Sequence, residues 1–203
     1  FTHNCIDFGR QFEYHKDHMK AAIIGIVIVL FLVFAGGSIF LAKQKKSVPV
    51  TLSSLGQVTG NPNSKVTLTE FGDFQCPACK TFEPLMQKVR KDYGKKVKVV
   101  FKHFPLTQIH TNGMPSARAA EAASKQGKFW EYHDLLYEKQ EEWSGLPDAT
   151  QKFTEYAETL KLDPEKFQKD MNSKQVQAAI DLQVNEAVTI GVNATPTVYL
   201  NNT

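Results

Sequence analysis

Two cysteines three residues apart, Cys76 and Cys79, stand between a strand-like alternating run, Val66 to Phe71, and a helical stretch that opens at Pro77. That placement constrains the chain more than any other feature, because it requires a strand to end where a helix begins, with two thiols at the junction. Proline lacks an N–H and its φ is pre-set for a first helical turn, so Pro77 fits the first helical position and Cys76 the N-cap. A sulfur there faces N–H groups with no partner inside the helix and the positive end of the helix dipole. Both favour thiolate over thiol, and cysteines so placed have pKa values of roughly 3.5 to 7.5 rather than about 8.5. Cys79, one turn on, shares the face and lies within disulfide reach. The pair therefore reads as a dithiol/disulfide redox centre, with Cys76 the nucleophile and Cys79 the more buried thiol that resolves a mixed disulfide.

Half a zinc site is the competing reading of this spacing. It needs two further ligands, and the chain scarcely offers them: its third cysteine, Cys5, lies beyond a hydrophobic segment, and His103, His110 and His133 stand at no metal spacing. An inert structural bridge is disfavoured because so small a loop stabilises little. Neither a metal nor an organic cofactor is expected. A net charge of +3 is too mild to imply nucleic acid, and no basic stripe with interleaved aromatics occurs.

From Ala21 to Ala42 no charged residue occurs, and a bilayer requires roughly 20 apolar residues. Residues 21–42 read as a transmembrane helix or signal anchor. Cleavage after Ala35-Gly36-Gly37 would leave Ile39-Phe40-Leu41 as an exposed apolar start, which favours an uncleaved anchor. The flanking lysines, Lys16 and Lys20 before and Lys43, Lys45 and Lys46 after, lean against export of the C-terminal domain. A dithiol centre on an anchored domain nevertheless makes most sense outside, where disulfides persist. The expectation is a single-pass protein of the cell membrane with its catalytic domain extracytoplasmic. Residues 1–20 read as a tail that need not belong to the mature protein, since Phe1 is no initiator and Met19-Lys20 resembles the start of a signal anchor.

Residues 43–63 are small and polar and read as a tether with room for one short strand. The domain then runs over 64–203. Val66–Phe71 and Val97–His103 are its first strands, with a helix from Pro77 to about Tyr93 between them in parallel β-helix-β order. Helical stretches come next, at Pro115–Lys125, Phe129–Gln140, Ala149–Leu160 and Pro164–Met171. Val176, Ile180, Val184 and Val188 recur every fourth residue, giving one apolar face to a last helix that Gly191 can end. A strand, Thr197–Leu200, begins just before the chain stops.

These parts, in this order, resemble the DsbA-like branch of the thioredoxin superfamily. The resemblance runs from about Val66 to Leu200 and rests on Glu70-Phe-Gly-Asp-Phe-Gln-Cys76-Pro-Ala-Cys79, Phe101-Lys-His-Phe-Pro-Leu106, Ala117-Arg-Ala-Ala-Glu-Ala-Ala123, Gln126-Gly-Lys-Phe-Trp-Glu-Tyr-His-Asp-Leu-Leu136 and Gly191-Val-Asn-Ala-Thr195-Pro196-Thr. It implies an α/β thioredoxin-like fold with a helical domain inserted at about 107–190, and it implies further C-terminal strands, so the sequence reads as truncated there. By the same resemblance Pro196 is the cis-proline beside the dithiol, which leaves the Thr195 backbone to pair with an extended substrate. Glu70 resembles the buried acid that exchanges protons with the resolving thiol, although strand alternation alone does not say which face is buried.

The implied activity is thiol:disulfide exchange, with the Cys76–Cys79 disulfide passed to thiols of exported or unfolded proteins. The implied partner is a membrane quinone-linked thiol oxidase or a reductase. Pro-Ala stands between the cysteines where the oxidising family members have Pro-His, so a less oxidising couple is expected. A reductase or isomerase using the same residues, and a non-catalytic thioredoxin-like binding or metal-chaperone domain, are the rival readings. Retention of both cysteines together with Thr195-Pro196 argues against the latter.

Overall fold

The computed structural model describes residues 50–201. The tail at 1–20, the apolar span at 21–42 and the tether up to residue 49 lie outside the described residues. Among the described residues no helix is long and apolar enough to cross a membrane.

The sheet contains β1 (Gln57–Gly60), β2 (Thr67–Gly72), β3 (Lys98–His103) and β4 (Thr197–Leu200), in the order β1-β3-β2-β4. β2 and β3 are parallel, with Glu70 beside Phe101, and α1 (Pro77–Tyr93) connects them. Both outer strands are antiparallel to their neighbours. The short strand allowed for in the 43–63 tether is β1. It pairs with β3 and belongs to the sheet, so the folded unit reaches back past residue 64. Ser53 is held as well: buried Lys102 donates to its carbonyl at 3.0 Å and pairs with Glu186 at 2.5 Å, and Glu186 accepts from the Ser53 hydroxyl at 2.9 Å.

Between β3 and β4 come α2 (Gly113–Ser124), α3 (Phe129–Glu138), the short α4 (Gln140–Trp143), α5 (Thr150–Thr159), α6 (Pro164–Met171) and α7 (Lys174–Thr189). α2 is the hub. Ala119, Ala120, Ala122 and Ala123 are wholly buried, and their small side chains let neighbouring helices close around it. The Glu70–Phe101 face of the sheet packs on Phe74, Phe129, Tyr132, Leu136 and Tyr137, whereas Phe71 on the opposite face meets Ala187 and Val192.

Helix ends obey local chemistry. Asp163 and Ser173 cap α6 and α7 by accepting from Lys166 N and Val176 N. Gly191, at φ +83°, ends α7: Val192 N donates to Ala187 O and Gly191 N to Val188 O. The four-residue repeat does not describe the buried face throughout. Val176 and Ile180 are buried, but Val188 is exposed and Gln183 and Ala187 point inward instead. Four residues advance a helix by about 40° beyond a full turn, so three such steps carry Val188 off the face.

Candidate active site

β2 ends at Gly72 and α1 begins at Pro77, which leaves four residues to turn the chain and present a sulfur. Side chains from distant elements pin this turn. The buried Asp73 carboxylate accepts from Gln75 N at 2.9 Å and Leu106 N at 2.8 Å, and faces His110 Nδ1 at 2.6 Å. Gln75 accepts from Asn112 N and donates to Ser144 O. Gln140 Nε2 donates to the carbonyls of Phe74 and Cys76, at 2.6 and 3.0 Å. The cysteine is thus fixed from both the thioredoxin-like part and the helical insertion.

Cys76 occupies the N-cap with extended backbone, φ −70° and ψ 121°, and Pro77 takes the first helical position. Cys76 is 7% exposed and Cys79 wholly buried, and both thiols are free. A hydrogen bond from the Cys79 thiol is the main influence lowering the Cys76 pKa to about 5; burial opposes it. Thr195 and the N–H groups of Cys79 and Ala78 add to the lowering. No cap hydrogen bond to Sγ is completed, so those N–H groups act on the thiolate at longer range. The same pairing, followed by burial, pushes the Cys79 thiol far up. One sulfur is ionised at neutral pH and the other keeps its proton.

The Thr195–Pro196 peptide bond is cis. The Cys76 thiol donates to the Thr195 carbonyl at 3.4 Å, whereas the Thr195 hydroxyl, buried and without a partner, is what favours the thiolate. Cys76, Cys79 and Thr195 are therefore brought together, with Pro196 next in the chain.

Glu70 is buried at 3% exposure, which sequence alternation left open. Burial, then the nearby Glu83 carboxylate, push its carboxyl up to about 8, with Arg90 pulling the other way. Behind it lies a cluster that no motif in the sequence announces. Arg90 bridges Glu83 at 2.8 Å and Asp134 at 2.5 Å, and His133 Nδ1 faces Asp134 Oδ1 at 2.8 Å. Burial raises Glu83 to about 7 and lowers His133 to about 4. Glu83, His133 and Asp134 bring ligand-type atoms within 4.8 Å of one another, but the positive charge this cluster already holds is the Arg90 guanidinium. Asp73 and His133 lie inside the motifs that carry the resemblance. Glu83 and Arg90 share a face of α1 at a spacing of seven, a signal that was available but looks like any solvated helix surface.

A family model described as Thioredoxin matches residues 53–203. Among solved structures, a thioredoxin-like oxidoreductase from Silicibacter pomeroyi DSS-3 is 28% identical with a TM-score of 0.62, over 74% of this chain and 83% of that one. Oxidised BdbD from Bacillus subtilis is 27% identical with a TM-score of 0.63, over 72% and 81%. Wolbachia pipientis α-DsbA1, at 22% identity and a TM-score of 0.63 over 75% and 78%, shares the fold. Among curated proteins, a Na+/H+ antiporter NhaA 1 from Mycolicibacterium gilvum is 34% identical over 89% of this chain, and NhaA 3 from Salinispora tropica is 38% identical over 71%. The chain spans 30% and 21% of the lengths of those two proteins.

Proposed function

The chain belongs to the thioredoxin family, in its DsbA-like branch of thiol:disulfide oxidoreductases, and on that premise we propose that it oxidises the thiols of exported proteins with a disulfide between Cys76 and Cys79. A substrate thiolate attacks Cys76 Sγ, the Cys76–Cys79 bond breaks, and its electron pair leaves on Cys79, which takes up a proton. A second substrate thiolate then attacks the substrate sulfur of the mixed disulfide and expels Cys76 as thiolate. The substrate loses two electrons and the dithiol gains them.

The observation that carries this reading is the split between the thiols, with Cys76 lowered to about 5 and Cys79 pushed far up. A stable Cys76 thiolate is a good leaving group and favours the reduced form, which makes the couple oxidising. About 5 lies between the ~3.5 of a strong oxidase and the ~7 of thioredoxin. With Ala78 in the dipeptide, this supports a potential between about −270 and −120 mV. Glu70, raised to about 8, is protonated at neutral pH and suits the donor role toward departing Cys79.

Two features support a membrane-held domain working outside the cytoplasm and reoxidised by a membrane quinone-linked thiol oxidase. One is the apolar run at 21–42. The other is kinship with proteins named as antiporters, which reside in membranes. Incubating the Cys79→Ser variant with a disulfide-bonded peptide should accumulate a mixed disulfide at Cys76. Trapping by Cys76→Ser at Cys79 instead would overturn the assignment of roles.

A further inference from the structure

α3 carries a buried oxygen that packing does not account for. The Tyr137 ring lies 5.1 Å from the rings of both Phe74 and His133, centroid to centroid, and its hydroxyl finds no hydrogen-bond partner among the protein's groups. Phenylalanine would fill the same space without burying a polar group, so the hydroxyl lowers stability. Its place is specific. A Cβ added to Gly72 would lie 3.2 Å from the Tyr137 oxygen, and Gly72 and Glu70 project from the same face of β2. Facing the hydroxyl are Cys79 and Glu83 from α1, Glu70 from β2 and Asp73 from the turn, with His133 one turn back on its own helix. Glu83 Oε2 and His133 Nε2 are likewise buried without partners.

We propose that Tyr137 is a positioning residue for the proton of Cys79, its hydroxyl carrying that proton between the Cys79 sulfur and the Glu70 carboxyl. This rests on the thiol:disulfide exchange proposed for Cys76 and Cys79. When a substrate thiolate bonds to Cys76 Sγ and the disulfide electron pair leaves on Cys79, the phenol gives its proton to that thiolate and takes one from the Glu70 carboxyl. Tyr137 ends neutral, Cys79 is a thiol and Glu70 a carboxylate. Burial, and then the surrounding acidic groups, hold the phenol protonated throughout, which fits a carrier rather than a base.

The test is Tyr137→Phe in the oxidised protein, with reduced glutathione as the attacking thiol, the rate of Cys76–Cys79 opening being followed from pH 5 to 9. At pH 7 the variant should open about tenfold more slowly, less than the ~10²–10⁴ of a direct acid–base group because water can stand in. The pH at which reduced Cys76 becomes half-alkylated should stay unchanged. Wild-type rates at every pH, in a protein that is simply more stable, would overturn the proposal. Replacing Tyr137 by 3-fluorotyrosine keeps the ring and hydroxyl and makes the phenol more acidic; it should shift the pH profile of opening, and an unshifted profile would count against the relay. A wild-type protein whose disulfide glutathione does not open would defeat the exchange reading itself, which separates the two failures.

Discussion

Glu70 shows how one buried carboxyl couples the chemistry of the site to the stability of the fold. Its folded pKa of about 8 lies above the ~4.3 of an exposed glutamate, so the folded protein favours the neutral acid. The contribution to stability is therefore fully present below about pH 4.3 and is lost as pH rises through about 8. Glu83, raised to about 7, acts in the same direction. Urea midpoints should fall between pH 5 and pH 8, and Glu70→Gln should remove part of that fall, on the order of a few kcal/mol; an identical pH slope in the variant would show that Glu70 titrates normally. At this scale the sequence was uneven in what it disclosed. Cys76 and Cys79 were legible because a proline and an N-cap are local matters. The Asp73–His110 contact was not, because it joins residues 37 apart through the fold.

Helix α1 places the chemistry at its N-terminus, so a change at Ala78 should act on the couple and not on the fold. Ala78→His is expected to raise the reduction potential by about 30 mV, tenfold in the exchange equilibrium, measured against glutathione. An unchanged potential would show that other groups set it. At the other face of the sheet, α7 and β3 are joined by Glu186 and Lys102, the lysine wholly buried. Glu186→Ala strands that charge and should cost roughly 3–5 kcal/mol in urea unfolding; a loss under about 1 kcal/mol would mean that the lysine escapes to water. The elements themselves were largely readable: Pro164–Met171 and Thr197–Leu200 were expected with those bounds and have them. Val188 was misplaced because a strict four-residue repeat drifts around a helix, and the end of the tether was undervalued because β1 is only four residues long and gains its order by pairing with β3.

For the whole molecule, the resemblance carried what periodicity could not, namely that the strands before and after six helices share one sheet and bring Thr195 to Cys76. The redox state should then register in global stability. The Cys76 pKa is depressed in the folded reduced protein, so its contribution is fully present above the unfolded value of about 8.5 and is lost as pH falls through about 5. The stability of the reduced form relative to the oxidised form should accordingly decline from pH 8.5 to pH 5, read as the difference between their melting temperatures; a difference that stays flat over that range would contradict a stabilised thiolate. The central claim is most directly tested by the pH dependence of alkylation of the reduced protein with iodoacetamide, each cysteine being tracked by peptide mass analysis. Cys76 should react first, with a midpoint near pH 5, while Cys79 stays protected through pH 9. A Cys76 midpoint near the ~8.5 of a free thiol, or modification of Cys79 ahead of Cys76, would contradict it.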